Sequence, residues 1–448
     1  MKTLTKIFTV CLICVAPVAG AQTYDEDVVM KACSCIYNSE GDSIDSVVNS
    51  CLLKALLHSL AEDGIYKEKI LQDISTPKSL ENLDTESRTS FGEYLEMLYK
   101  NCSAVHYLVE KKQAKYYRMS NSGEANRYYL EGIDYEKKGE PDSAIVSYNK
   151  SLVYDSRFVC ALDNASILYG KINEPDKAID YCQRSLLIFP EGYNALLNLG
   201  AAFLTKEDSQ PALAAYVKLI KYYPESPEGY FGLSLISFTN KDYIASTNLM
   251  KYAYTIYSAQ NFDRTRDCKE YLQTFYYYMK KEGNDSVFAE IAGEFVPPLY
   301  QPENFDQLQS IRLNDEIDCY LAESQVLICN NYILSTPVND SNLNRNFAAA
   351  MVKRWMAKTP DYIFHIDKKV AKILDKKGNV LSVFTAAMTK FCIENPEQGN
   401  DEKAVALYAW NTVLDYAANK ANNIQSTGEL KKMINAKKSG TLEKQLGF

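Results

Sequence analysis

The chain has 448 residues, and its 57 aspartate and glutamate residues outnumber its 49 lysine and arginine residues, so the formal net charge at pH 7 is −8. An acidic chain repels nucleic acid and anionic lipid, so we expect neither as a partner. At roughly 100 to 200 residues per domain, the length predicts two or three domains.

The first 21 residues are typical of a secretory signal peptide. Lys2 and Lys6 precede an apolar run over residues 7–18, and Ala19-Gly20-Ala21 then supplies the small residues after which a signal peptidase cuts. The run is too short to span a bilayer, and no later stretch is long and apolar enough to do so. We therefore expect an exported mature chain, periplasmic or extracellular, that begins at Gln22. A retained N-terminal anchor helix is the alternative.

Residues 22–120 are predicted to form a helical module that disulfides hold together. Apolar residues recur at helical spacing over residues 28–36, 44–56 and 91–105. Four cysteines cluster in this part of the chain, and disulfides persist in the compartments that exported proteins reach. The candidates are Cys33, Cys35, Cys51 and Cys102.

Two pairings of these cysteines remain open. Cys33 and Cys35 are two residues apart on a predicted helix and so point to nearly opposite sides, which disfavours a bond between them. Each would therefore bond either Cys51 or Cys102. A zinc site is the alternative, but the spacing lacks the paired C-x-x-C knuckles of zinc sites. We predict disulfides and no metal.

A 34-residue period runs from Ala125 to about Gln260, in units that begin at residues 125, 159, 193 and 227. Small residues occupy positions 8 and 20 of every unit, and large aromatic residues occupy position 11 of the first three. Position 8 is Gly132, Ser166, Gly200 and Ser234; position 20 is Ala144, Ala178, Ala212 and Ser246; position 11 is Tyr135, Tyr169 and Phe203. In the first two units Pro141 and Pro175 stand where a second helix begins.

This small-large-small alternation resembles the tetratricopeptide repeat, a helix-turn-helix unit that stacks into a solenoid. The resemblance implies a scaffold that binds a protein or peptide partner in its concave groove. In that family the groove is lined mainly by positions 2, 5, 9 and 12 of each first helix. Carried over to this chain, the predicted groove residues are Tyr129, Ile133, Asp163, Ile167, Asn194, Leu197, Ala201, Leu204, Phe231, Leu235 and Phe238.

The sixteen groove positions contain no lysine or arginine. A clamp on a peptide's terminal carboxylate needs cations, so that family mode is not expected here. The remaining apolar floor suits an amphipathic helix or an extended apolar segment. Alternatively, the protein covers its own groove with its capping helices or its C-terminal domain.

The rest of the chain is also predicted to be helical. Residues 261–295 read as the capping helices of a solenoid that occupies residues 121–295. Three prolines between residues 296 and 302 predict a linker over residues 296–310, and helical patterns follow over residues 311–448. This last part, with Thr359-Pro360-Asp361-Tyr362 as its most recognisable segment, resembles the helical tails of exported bacterial proteins. The fold class is therefore all-α: a tetratricopeptide-like solenoid flanked by two helical modules.

No signature of catalysis was found in the sequence. We interpret the three histidines, His58, His106 and His365, as packing or surface residues. The common sequence motifs of nucleotide-binding proteins, hydrolases and metalloproteases do not occur. We therefore predict a protein that is not an enzyme and that binds no cofactor. The alternative function is capture of a glycan or solute at the envelope, which the 34 tyrosines suggest. Proteins of that kind are usually lipid-anchored, and neither Cys11 nor Cys14 follows the small residues that lipid attachment requires.

Overall fold

The computed structural model describes residues 26–447 apart from residues 40, 42, 63–84, 261, 340, 367, 376–379, 423 and 426. Every regular element in this part of the chain is a helix, as the sequence predicted. None of the helices described there has the length and apolar character needed to cross a membrane. The predicted signal peptide, residues 1–21, lies outside the described residues.

The chain divides into two compact domains. The first comprises the residues up to 275 together with 283–294, and the second comprises residues 276–282 and those from 295 onward. The N-terminal module and the solenoid, which the sequence suggested as separate segments, thus form one domain.

Four helices form the N-terminal module, and two disulfides join them. The helices are α1 (Glu26–Tyr37), α2 (Ile44–Glu62), α3 (Thr85–Asn101) and α4 (Ser103–Tyr116). Cys33 bonds Cys102 and Cys35 bonds Cys51, so the structure contains one of the two pairings that the sequence left open. The bridges fix α1 to α2 and to the residue that precedes α4.

The 34-residue period corresponds to four helix pairs, which confirms the repeat assignment. The pairs are α5 (Gly123–Lys137) with α6 (Pro141–Tyr154), α7 (Val159–Lys171) with α8 (Pro175–Ile188), α9 (Tyr193–Thr205) with α10 (Ser209–Tyr222), and α11 (Pro227–Thr239) with α12 (Tyr243–Ala259). Position 15 of each unit, the turn between the paired helices, has a positive φ. These residues are Gly139 (75°), Asn173 (59°), Glu207 (58°) and Lys241 (62°).

The small residue at position 8 makes room for the side chain at position 24 of the same unit. A Cβ atom on Gly132 would lie 2.5 Å from the ring of Tyr148, and one on Gly200 would lie 2.7 Å from the ring of Tyr216. In the second unit a serine replaces the glycine, and the buried residue at position 24 is the smaller Cys182. The interior of a repeat unit is therefore filled in different ways: a glycine faces a tyrosine in the first and third units, and a serine accompanies a cysteine in the second.

The N-terminal module packs along the edge of the solenoid where loops join the repeat units. The ammonium group of Lys112 on α4 lies 3.0 Å from the carboxylate of Glu191, which is buried. Asp45 on α2 accepts a hydrogen bond from the Tyr222 hydroxyl at 3.0 Å and lies 3.1 Å from the ammonium group of Lys221. These contacts connect α2 and α4 to the ends of the second and third units.

The predicted capping helices are α13 (Thr265–Lys281) and α14 (Asp285–Ala292), and Gly283 between them has a positive φ. Within the first domain, α13 packs on the fourth repeat unit. The Phe275 ring stacks on the Phe238 ring at a centroid distance of 4.9 Å, and the Tyr271 ring meets the Phe231 ring edge-on at 5.5 Å.

The second domain is a helical bundle around its own core. Its α-helices beyond residue 295 are α15 (Glu316–Ser335), α16 (Leu343–Met356), α17 (Lys368–Asp375), α18 (Leu381–Glu394), α19 (Glu402–Ala418), α20 (Gly428–Lys438) and α21 (Leu442–Leu446). Trp355 is fully buried, and its indole N–H donates a 2.8 Å hydrogen bond to the Cys319 carbonyl oxygen.

The segment predicted as a linker, residues 296–310, is an integral part of this second domain. Its latter half is a 3₁₀ helix, Pro302–Ser310, whose Phe305 and Leu308 are buried in the core. The Gln325 side chain donates to the Tyr300 carbonyl oxygen at 2.8 Å and accepts from the Tyr300 N–H at 2.5 Å. The segment contains neither an α-helix nor a strand, as the prolines predict, but the apolar residues that follow the prolines anchor it to the core.

Candidate functional site

All eleven predicted groove residues lie on the first helices of the repeat units, α5, α7, α9 and α11. Their exposure differs along the array. Asp163 is fully buried and Phe231 is 7% exposed, whereas Ala201 is exposed and the other eight are partly buried. The chain itself therefore covers part of the predicted surface, and it does so at two places.

The first place is the second repeat unit, where the segment that follows α4 crosses the predicted groove positions. The Tyr117 hydroxyl accepts a hydrogen bond from the backbone N–H of Asn194 at 3.3 Å. The Cys160 thiol donates a 3.9 Å hydrogen bond to the Arg118 carbonyl oxygen. The Tyr117 ring also meets the Phe189 ring edge-on at 5.6 Å. A segment of the chain's own backbone thus lies where the family resemblance placed a partner.

Asp163, at position 5 of the second unit, is an unusual residue for such a surface. Within the described part of the chain neither of its carboxylate oxygens has a hydrogen-bond partner of good geometry. Burial raises the pKa of this carboxyl to about 6, and the hydroxyls of Ser185 and Tyr117 oppose that rise only partly. Asp163 therefore belongs to the interior beneath Tyr117 and is not a free groove residue.

The second covered place is the fourth repeat unit. Here α13 lies over Phe231 and Phe238, through the aromatic contacts of Tyr271 and Phe275. The guanidinium of Arg264 also lies 4.7 Å above the centre of the Phe231 ring. This outcome matches the alternative in which the capping helices occupy part of the groove.

Beside these two covered places, apolar residues of the first helices remain partly or fully exposed. We call this set the apolar strip; it consists of Ile133, Ile167, Leu197, Ala201, Leu204 and Leu235. It crosses all four units, and no lysine or arginine occurs among the predicted groove positions beside it.

The asparagines at position 6 of the second and third units, Asn164 and Asn198, contact neighbouring units in this chain. The Asn164 amide donates to the hydroxyls of Tyr148 at 3.2 Å and of Tyr129 at 3.4 Å. The Asn198 amide donates to the Ser166 hydroxyl at 3.3 Å. Both amides therefore connect adjacent repeats, and this geometry gives no sign of a peptide-backbone clamp.

Sequence reasoning missed a cavity of about 430 Å³ at the edge of the solenoid. We call it the tyrosine cavity. Helix α4, the loop between the third and fourth units, and the end of α12 enclose it. Its aromatic residues are Tyr193, Tyr222, Tyr223, Tyr257 and Phe262, and its charged residues are Glu110, Glu225, Glu228 and Arg264. The Tyr222-Tyr223-Pro224-Glu225 sequence was visible, but no local pattern connects it with α4.

Two observations on the described residues concern metal ligands and thiol reactivity. No group of three or more His, Cys, Asp and Glu side chains among them is placed to hold a metal ion. Burial, with the nearby charge of Asp163, raises the pKa of the Cys160 thiol to about 11, and burial raises that of Cys182 to about 12. A thiol is nucleophilic only when deprotonated, so neither is activated at neutral pH.

No protein-family model matches the chain. A 126-residue stretch is 27% identical to the bovine (Bos taurus) BBSome complex member BBS4, covering 28% of this chain and 24% of that protein. The chain therefore spans about a quarter of the length of this relative.

Similar solved structures include three helical repeat proteins. A tetratricopeptide repeat protein from Parabacteroides merdae is 16% identical, over 69% of this chain and 99% of its own, with a TM-score of 0.34. MamA from Desulfovibrio magneticus is 15% identical, over 39% and 95%, and PilF from Pseudomonas aeruginosa is 13% identical, over 56% and 97%; both have TM-scores of 0.34. The four helix pairs at a 34-residue period give this chain a tetratricopeptide-like fold.

Proposed function

We propose that this protein is an exported, non-enzymatic scaffold that holds a partner polypeptide against the apolar strip. The observation that carries the proposal is the strip itself. Six apolar residues on four consecutive first helices are left partly or fully exposed by the chain. Apolar surfaces of this kind mark binding sites, because isolated soluble proteins otherwise bury them.

The strip fits a partner segment with an apolar face better than it fits a terminal carboxylate. The groove positions contain no lysine or arginine, so a terminal carboxylate would find no cationic partner among them. We infer that the partner presents an amphipathic helix or an extended apolar segment. The periplasm or the extracellular space is the proposed location, on the basis of residues 1–21 alone.

The test replaces two strip residues by a charged one. Leu197→Asp with Leu204→Asp should abolish capture of the partner from an envelope extract, because each change places a carboxylate in an apolar contact. Both residues are only partly buried, so we expect the thermal unfolding curve to change little. The matched control is Leu187→Asp on α8, a leucine that is 83% exposed and outside the strip.

Two outcomes would contradict the proposal. Capture that survives the double substitution would exclude the strip as the binding surface. Equal loss of capture in the Leu187→Asp control would show a general effect of added charge. The alternative function, capture of a glycan or solute, would use the tyrosine cavity instead, and carbohydrate binding unaffected by the strip substitutions would favour it.

A further inference from the structure

The tyrosine cavity combines aromatic walls with an excess of negative charge. The rings of Tyr193 and Tyr223 lie at right angles, with centroids 5.1 Å apart, and Tyr257 and Phe262 meet in the same edge-on way at 6.2 Å. Aromatic faces carry negative charge density and attract cations that come within about 6 Å of the ring centre. The walls by themselves therefore favour a cationic ligand over an anionic one.

The charged residues of the cavity do not balance. Arg264 is committed to Glu228, with 2.5 Å between a guanidinium nitrogen and a carboxylate oxygen. Glu110 and Glu225 are exposed, and within the described part of the chain neither lies within ion-pair distance of a lysine or arginine. With three glutamates and one arginine, the formal charge of the lining is −3 + 1 = −2.

Helix dipoles do not change this charge. The first residues of α9 and α11, Tyr193 and Pro227, contribute to the lining, and so do Tyr222, which ends α10, and Gln260, which caps the end of α12. Each helix N-terminus is equivalent to roughly half a positive charge, and each C-terminus to roughly half a negative charge. The four termini therefore cancel, and the preference of the cavity for a cation persists.

The cavity and the apolar strip share two helices. Tyr193 begins α9, the helix that also carries Leu197 and Leu204, and Leu197 lies about one helical turn beyond Tyr193. Glu228 lies in the first turn of α11, which carries Leu235. Residues of the strip and residues of the cavity therefore follow one another along the same helices.

We propose that the tyrosine cavity binds a basic side chain, an arginine or lysine, that the partner segment carries beside its apolar face. This inference rests on the proposed scaffold function and specifies the partner: an amphipathic segment that is basic, not acidic. The cation would lie against the tyrosine rings and pair with Glu110 and Glu225. Such a partner complements a chain whose net charge is −8.

The test uses the full-length chain and small probes that contain only the side chain in question. Saturation-transfer difference NMR compares N-acetyl-arginine methylamide with N-acetyl-citrulline methylamide, which has the same shape without the charge. We expect the arginine probe to bind about tenfold more tightly, because it alone gains the ion-pair and cation–π terms. Its binding should weaken as salt is added, since the two glutamates are exposed.

Substitution of the two exposed glutamates provides the second arm. Glu110→Gln with Glu225→Gln should remove the advantage of the arginine probe and leave the unfolding curve unchanged. The matched control is Glu290→Gln on α14, an exposed glutamate of the same domain that lies outside the cavity, and it should bind the probe as the wild type does.

Three outcomes would overturn the inference: equal binding of the two probes, an undiminished arginine preference in the double variant, or displacement of the probe by methyl glucoside, which would assign the cavity to a carbohydrate. The outcome is separable from that of the scaffold proposal. If the chain binds the arginine probe but captures no partner polypeptide, only the scaffold proposal is contradicted. If it captures a partner but does not bind the arginine probe, only the present inference is contradicted.

Discussion

Asp163 shows how a single residue can look like part of a binding surface and belong to the interior. At position 5 it matched the groove pattern of the repeat family, and its charge suggested an exposed residue. The structure buries it beneath Tyr117, with neither oxygen paired among the described residues. Burial of an unpaired carboxylate destabilises the ionised form, which is why the pKa of Asp163 rises to about 6.

We predict that Asp163→Asn stabilises the protein at pH 8 and that this advantage disappears in acid. Because the folded-state pKa of about 6 exceeds the ordinary 3.8, the ionised carboxylate penalises the folded state above pH 6. Protonation relieves the penalty as the pH falls through 6, and the relief is complete below 3.8. Two pKa units correspond to about 3 kcal/mol.

Urea unfolding of both proteins from pH 4 to pH 8 measures the effect. Asp134→Asn is the control, because Asp134 is an exposed residue on α5 and its curve should follow that of the wild type. If Asp163→Asn tracks the wild type at every pH, the carboxylate is solvated and the burial argument fails.

The helix pair is the element in which this sequence is most informative. The small residues at positions 8 and 20 recur every 34 residues, so the existence and order of the paired helices could be predicted from the sequence. For example, the proline at which α6 begins is the residue that the spacing indicated. In the second domain, helical patterns were predicted over residues 311–448, and α15 extends there over Glu316–Ser335.

The sequence could not show which faces of these helices are covered. The segment over Asp163 and the helix over Phe231 make their contacts through residues distant in sequence, and a helical period carries no information about such partners. The tyrosine cavity has the same origin, since Glu110 lies more than a hundred residues before Glu225 and Glu228. The prediction of a linker over residues 296–310 was wrong for a related reason. The prolines restrict the backbone conformation, but they do not indicate whether Phe305 is buried, and it is.

At the scale of one helix pair, we predict that the glycine at position 8 and the large residue at position 24 are energetically coupled. Gly132→Ser should destabilise the protein by about 1 to 3 kcal/mol, because a Cβ atom there would lie 2.5 Å from the Tyr148 ring. In a Tyr148→Cys background, Gly132→Ser should lower the free energy of unfolding by at least about 1 kcal/mol less. The second unit already has this combination, a serine at position 8 and Cys182 at position 24.

A double-mutant cycle of unfolding free energies measures this coupling. Gly170→Ser is the control, because a Cβ atom at Gly170 would contact nothing within 4 Å and its effect should be the same in both backgrounds. Additive effects of Gly132→Ser and Tyr148→Cys would contradict the size-matching account of the repeat core.

For the whole molecule, we predict that the two disulfides stabilise the first domain substantially. Removal of a native bridge from a small secreted domain costs about 2 to 5 kcal/mol. Of the twelve cysteines, ten lie after residue 21, and six of these are free in the structure. Thiol titration of the denatured, unreduced mature chain should therefore count six thiols, and added reductant should lower the midpoint of unfolding.

The control is a variant in which Cys33, Cys35, Cys51 and Cys102 are all replaced by serine. Its unfolding midpoint should lie below that of the oxidised wild type and should not respond to reductant. A count of ten free thiols in the unreduced chain would exclude both bridges.

The contact of Asp45 with Tyr222 and Lys221 also bears on the order in which the chain can fold. An array of helix pairs ordinarily folds from neighbour to neighbour, so that each unit adds stability as it is completed. Here a residue near the N-terminus reaches its hydrogen-bond partner only across 177 positions of sequence. A chain made from its N-terminus onward must hold α2 and α4 without their final contacts until the third unit exists, and closing so long a loop is slow. Both disulfides join cysteines at or before Cys102, so they can form as soon as the N-terminal module has been made. They would then hold its helices together until the third unit is complete.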